Sequence, residues 1–202
     1  MLYAILKIIF QLYFRILFRA EIRGTEHVPK EGALILAANH MSNWDPPFLA
    51  CFCPRIVSYM AKQELFEHPV FGTAIRCCHA FPIKRGAGDR GAIKAAVQVL
   101  KEEHCLGVFP EGTRSRDGKM KKAEAGVGLI AAMTGAAVTP AAIVGTHRVF
   151  AHGSLFPKLK LAYGKPMRFE GNAKDKEALA AFSQSIMDEI ARMKAELEDE
   201  SH

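Results

Sequence analysis

Short apolar runs alternate with amphipathic stretches along most of this chain, the pattern of strands laid between helices. Strands are predicted at residues 33–38 (ALILAA), 55–61 (RIVSYMA), 78–83 (CHAFPI), 105–109 (CLGVF), 138–144 (VTPAAIV) and 159–163 (LKLAY). The first of these is apolar throughout, as a strand buried on both faces is. Residues 21–32 read as a short edge strand running into a Pro/Gly loop. Helices are predicted from Asp45 onward, with Asp45 at the N-cap and Pro46 at the first helical position. Further helices are predicted at 64–76, which Pro69 divides in two, and at 90–103, where Ile93, Ala96, Val97 and Leu100 recur at helical spacing. The last two lie at 123–133, rich in small residues, and at 174–198, with Leu179, Phe182, Ile186, Ile190 and Met193 on one face. Pro140 inside its strand predicts a sheet edge or a bulge. With no internal repeat and no linker, the pattern predicts one α/β domain over 21–202, a mostly parallel mixed sheet flanked by helices.

Residues 2–18 (LYAILKIIFQLYFRILF) depart from this alternation. Lys7, Gln11, Arg15 and Arg19 recur every fourth position, a narrow polar stripe on a helix that is otherwise aliphatic and aromatic. Seventeen residues span roughly 26 Å, short of a hydrocarbon core of about 30 Å. Lys7 and Arg15 would each cost on the order of 2.5–3.5 kcal/mol near the bilayer centre. Lying in the interface avoids that cost, with the bases toward headgroups and Phe10, Phe14 and Phe18 among acyl chains. No basic region precedes the run and no small-residue cleavage site follows it, which argues against a signal peptide. Residues 1–20 are therefore expected to be a membrane-interfacial helix, and the alternative is a helix covering the sheet.

Charge sharpens this picture. The formal net charge is +6, but residues 170–202 hold nine acids and four bases, so the rest carries +11. Such a body is drawn to phosphate substrates, anionic lipid or nucleic acid. Nucleic acid is disfavoured, because the aromatic residues fall in apolar runs rather than among the bases. The five cysteines (Cys51, Cys53, Cys77, Cys78 and Cys105) show no zinc-knuckle spacing and read as buried thiols in a reducing compartment. No metal is expected.

Candidate chemistry gathers at strand ends. His40 follows the first core strand, and Asp45 stands five residues on, within reach of its imidazole; a capped loop histidine is the competing reading. The strand at 105–109 runs into Pro110-Glu111-Gly112-Thr113-Arg114-Ser115, where Gly112 allows close approach of a ligand and Arg114 can grip a phosphate in two-pronged fashion. Lys84 and Arg85 follow a third strand. In a parallel sheet these turns share one edge. A His–Asp pair beside a basic cluster suits activation of a hydroxyl on a phosphate-bearing substrate. There is no G-x-S-x-G elbow, P-loop or H-E-x-x-H, so the attacking hydroxyl belongs to the substrate and attack on an acyl thioester would be single-step transfer.

These blocks resemble the 1-acyl-glycerol-3-phosphate acyltransferases, the bacterial PlsC-like glycerolipid acyltransferases. Asn39-His40 through Asp45-Pro46, Ala80 through Gly86, Phe109 through Ser115 and Val138 through Ile143 match the family's four blocks in order. Lys84 departs from the pattern, since many members carry an acid before the arginine. The resemblance implies that His40 is the general base and that Asp45 orients it. It implies that Arg114, Lys84 and Arg85 hold the acceptor phosphate. Glu111, Gly112 and Thr113 would shape the acceptor site, Glu111 by positioning Arg114 or the glycerol. It further implies lysophosphatidic acid or a similar lyso-lipid as acceptor, an acyl-carrier-protein or acyl-coenzyme A donor, no cofactor, and a peripheral place on the cytoplasmic face of the cell membrane. Transfer to another lyso-lipid and a catalytically silent membrane-binding protein are the alternatives.

Overall fold

The β-branched and aliphatic runs form the middle of one sheet, and the amphipathic stretches pack on its two faces. The structure, a computed structural model, describes residues 2–83, 90–115, 120–150 and 155–200. In chain order the elements are α1 (Leu2–Leu17), β1 (Glu21–Arg23), β2 (Leu34–Ala38), α2 (Asp45–Phe52), β3 (Val57–Lys62), α3 (Pro69–Cys77), β4 (Ala80–Ile83), α4 (Arg90–Lys101), β5 (Cys105–Val108), α5 (Gly126–Thr134), β6 (Ala137–Val144), β7 (Lys160–Tyr163) and α6 (Lys176–Asp199). Single 3-10 turns at Thr25–His27, Gln63–Phe66 and Thr146–Arg148 join some of them, so the stretch around Pro69 is two short helices, as expected.

Among the described residues seven strands form one sheet in the order β1-β7-β6-β2-β5-β3-β4. All neighbours are parallel except β6 and β7. The α/β architecture is the expected one. β2 is buried along its whole length and alternates between two cores. Leu34, Leu36 and Ala38 face α1 and α2, and Ile35 and Ala37 face α4, α5 and α6. The period of two in the sequence thus serves both faces of a three-layer sandwich.

Pro140 lies in β6 between β2 and β7, not at an edge. The bulge alternative holds instead. Ala141 pairs with Tyr163, while Val138 pairs with Met167, so the partner strand carries one more residue than β6 between these pairs. Pro140 has no N–H to give there, and its carbonyl accepts the Gly164 N–H at 2.8 Å.

The polar stripe of α1 points the other way from expectation. Lys7 Nζ donates to the Cys53 carbonyl and Gln11 Nε2 to the Cys51 carbonyl, each at 2.6 Å. Both carbonyls lie at the C-terminal end of α2, where helix carbonyls lack intrahelical partners and cations are favoured. Phe14 and Phe18 are fully buried in the core, so neither meets acyl chains. Arg15 and Phe10 remain exposed. The outward face is instead Ile5, Ile8, Ile9, Leu12 and Ile16, the last 70% exposed. Among the described residues no helix is long and apolar enough to cross a membrane.

The cysteines are free; Cys51, Cys53 and Cys105 are buried as expected, but Cys77 is half-buried and Cys78 exposed. Burial pushes the Cys51 thiol up to about 12.

Candidate active site

The turn between β2 and α2 places His40 at the carboxyl edge of the central strand. Asp45 is the first residue of α2 rather than its N-cap; Trp44 takes that position with no capping side chain. The Asp45 carboxylate is turned back into the preceding turn. Its Oδ2 accepts the N–H groups of Met41 at 2.6 Å and Ser42 at 2.7 Å, and faces His40 Nδ1 at 2.9 Å. Its Oδ1 accepts the Thr146 hydroxyl at 2.5 Å. Asp45 is fully buried, and these bonds compensate the loss of water around it. Because this carboxylate acts only as an acceptor, the proton between it and His40 sits on Nδ1. Nε2 is left with a lone pair and no partner among the described residues.

Rings and backbone hold His40 from both sides. The imidazole stacks on Phe109 with centroids 4.1 Å apart, and the Tyr59 ring lies 6.3 Å from Phe109 with its plane nearly parallel. Tyr59 pairs with Gly107 across β3 and β5, and its ring occupies the space a Cβ there would need, 2.2 Å away. Burial pushes the Tyr59 phenol well above its ordinary value, and among the described residues its hydroxyl has no partner. One residue before His40, buried Asn39 exchanges two hydrogen bonds with the Ile143 backbone, at 2.9 and 2.8 Å, extending the contact between β2 and β6.

The turn after β5 closes against the first. Glu111 is buried, and its two carboxylate oxygens accept the N–H groups of His40 at 2.9 Å and Lys121 at 3.1 Å. It was expected to position Arg114 or the glycerol; the carboxylate is committed to backbone amides instead, and it fixes His40. Ser115, beside Arg114, donates its N–H to the His40 carbonyl at 2.9 Å. Gly112 has a φ of 67°, and a Cβ there would meet the end of the Glu124 side chain, whose carboxylate lies 2.1 Å from that position. Lys121 Nζ ties the turn together, donating to Thr113 Oγ1 at 3.0 Å and to the Arg114 carbonyl at 3.4 Å. The Arg114 guanidinium is exposed, and among the described residues no carboxylate pairs with it. Lys84 and Arg85 lie outside the described residues.

His40, Asp45, Glu111, Gly112, Thr113 and Arg114 therefore meet at one sheet edge. Sequence reasoning missed Thr146 and the clamping role of Asn39. The strand-end logic that singled out His40 and Glu111 applies equally to Thr146, the second residue after β6. The neighbouring His147 has its pKa lowered, by burial first and Arg148 next.

The model of the family described as Acyltransferase matches residues 19–144, more than half of the chain. The 1-acyl-sn-glycerol-3-phosphate acyltransferase of Bacillus subtilis is 31% identical over 185 residues, covering 88% of this chain and 89% of that protein. The protein of the same name from Streptococcus pneumoniae is 38% identical over 130 residues; the match covers 62% of this chain and 47% of that longer protein. The crystal structure of the 1-acyl-sn-glycerophosphate (LPA) acyltransferase PlsC from Thermotoga maritima superposes with a TM-score of 0.80 at 29% identity, over 97% of this chain and 79% of the other. The matched segment contains His40, Asp45, Glu111 and Arg114 and ends just before Thr146.

Proposed function

The chain belongs to the acyltransferase family, and on that premise we propose that it moves a fatty acyl group from an acyl thioester to the free hydroxyl of 1-acyl-glycerol-3-phosphate, giving phosphatidic acid. The observation that carries this reading is His40 with Nδ1 held on Asp45 and Nε2 free, one turn from the exposed Arg114. His40 Nε2 takes the proton from the glycerol hydroxyl as its oxygen attacks the thioester carbonyl carbon. Asp45 stabilises the imidazolium so formed. The tetrahedral centre collapses, the C–S bond breaks, and the departing thiolate takes the proton back from His40. No covalent enzyme intermediate is required.

Arg114 grips the acceptor phosphate, with Lys84 and Arg85 as further candidates. The donor is an acyl-carrier-protein or coenzyme A thioester, and exposed Lys121 and Lys122 beside the turn suit the phosphates that both carry. The apolar outer face of α1 rests on an anionic membrane surface, where the acceptor resides, on the cytoplasmic side that supplies such thioesters. Phe10 and Arg15 belong to that contact, in place of buried Phe14 and Phe18.

Purified full-length protein offered lysophosphatidic acid, lysophosphatidylcholine and glycerol-3-phosphate, each with both thioesters, tests the reading by product mass. Phosphatidic acid from lysophosphatidic acid is expected to dominate. Equal use of lysophosphatidylcholine would refute the phosphomonoester preference, and no product from any pair would refute acyl transfer.

A further inference from the structure

Just past β6 the chain presents an aromatic ridge that neither the catalytic pair nor the core uses. Phe150 is 54% exposed, and Leu155 and Phe156 are exposed with it. Phe150 has a φ of 57°, in the left-handed region that a bulky L residue avoids. Its neighbour Val149 is buried, so the strained backbone turns the larger, more hydrophobic side chain outward. Strain held at an exposed aromatic points to use rather than to folding.

The ridge has two neighbours. Phe150 and Phe156 lie 6.2 Å apart and both rest on Phe18, at 6.2 and 5.6 Å, while Arg19 donates to the Phe156 carbonyl at 3.2 Å. The ridge is therefore continuous with the end of α1, where Ile16 and Leu17 are exposed. On its other side Phe150 meets Trp44 edge-on at 6.0 Å. Trp44 belongs to the turn that carries His40 and Asp45. Exposed Arg19 and Arg148 stand beside this surface, Arg19 through its bond to the Phe156 carbonyl and Arg148 two residues before Phe150. Aromatic and aliphatic groups rimmed by guanidinium fit an anionic bilayer: rings enter the acyl boundary and cations meet headgroup phosphates.

We propose that Phe150 and Phe156 form a second membrane contact beside α1, which sets the catalytic turn itself at the depth of the lipid glycerol. The choice of a bilayer as occupant rests on the lipid acyl-transfer reading above. A membrane held by α1 alone could leave His40 standing off the surface. With the ridge inserted, the acceptor's hydroxyl reaches Nε2 while its acyl chain stays in the leaflet.

Trp44 is the only tryptophan of the chain, so its fluorescence reports on this turn alone. The full chain is mixed with phosphatidylglycerol-containing vesicles whose acyl chains are brominated close to the headgroup, and sedimentation is followed in parallel. Wild type is expected to sediment and to lose about half or more of its Trp44 emission, contact quenching at interfacial depth. The Phe150→Ser/Phe156→Ser variant is expected to bind at least about tenfold more weakly, to keep its emission when bound, and to retain wild-type turnover of a short-chain acceptor dissolved in water. Wild type that sediments unquenched, or a variant quenched as strongly as wild type, would overturn the ridge while leaving α1 as anchor. Wild type that fails to sediment would overturn both contacts, and transfer to the dissolved acceptor would then show whether acyl transfer itself stands.

Discussion

The Thr146 hydroxyl donates to Asp45 Oδ1 at 2.5 Å, joining the end of β6 to a carboxylate 101 residues earlier in the chain. The other oxygen of that carboxylate holds His40 and two backbone N–H groups. Thr146 therefore acts on the imidazole through Asp45 and fixes the direction in which Nε2 points. A hydrogen bond to a charged group contributes about 1.5–3 kcal/mol. Thr146→Val is expected to lower kcat by about tenfold or more with KM for the acceptor little changed, and Thr146→Ser to restore most of it. A variant that changes only thermal stability would reduce Thr146 to a core contact.

Glu111 gives the second relationship. Gln at this position keeps the shape but offers one acceptor oxygen to two backbone donors, those of His40 and Lys121. One N–H is left without its acceptor in a half-buried place, at about 1 kcal/mol. Glu111→Gln is expected to lower both the denaturation midpoint and kcat. If Glu111 bound the glycerol instead, KM would rise and stability would hold; steady-state kinetics beside urea titration separate the two.

Arg114 is exposed, and in the proposed reading it is the side chain that grips the acceptor phosphate. Arg114→Ala is expected to raise KM for lysophosphatidic acid by roughly 10- to 100-fold, the loss of a charge-assisted pair, with kcat changed far less. The Arg114→Lys variant recovers only part, because an ammonium lacks the planar fork. An unchanged KM in both variants would place the phosphate elsewhere.

Gly107 tests the packing beneath the site. A methyl group at this position runs into the Tyr59 ring. Gly107→Ala is expected to cost about 1–3 kcal/mol of stability, and to slow transfer because Tyr59 supports Phe109 and Phe109 supports His40. Adding Tyr59→Leu makes room and removes a buried hydroxyl that has no partner among the described residues. The two substitutions are expected to be less damaging together than the sum of each alone. Strict additivity in urea unfolding would show that the two sites do not touch.

Local features were readable in the sequence, and relationships between distant elements were not. The turn that carries His40 and Asp45 and the loaded turn at Glu111–Arg114 each lie within ten residues, and their residue types announce them. The stripe of Lys7 and Gln11 was visible too, but periodicity shows that a helix has a polar side, not what that side meets. Here it meets the carbonyl end of α2, a partner some 40 residues away, and so the aliphatic side faces out. The same distance hides the bonds of Thr146 to Asp45 and of Asn39 to Ile143, and the seating of the Tyr59 ring over Gly107. Pro140 shows the limit from the other side. It correctly marked a defect in the ladder, but one extra residue in the neighbouring chain absorbs that defect in mid-sheet.

The most direct test removes the base. Purified His40→Ala, shown by circular dichroism to be folded, is given lysophosphatidic acid and an acyl thioester, and phosphatidic acid is followed by mass. A general base contributes about 10²–10⁴-fold, so the rate is expected to fall by that factor with binding of the acceptor retained. Transfer at the wild-type rate by the folded variant would contradict a mechanism that depends on His40 and Asp45.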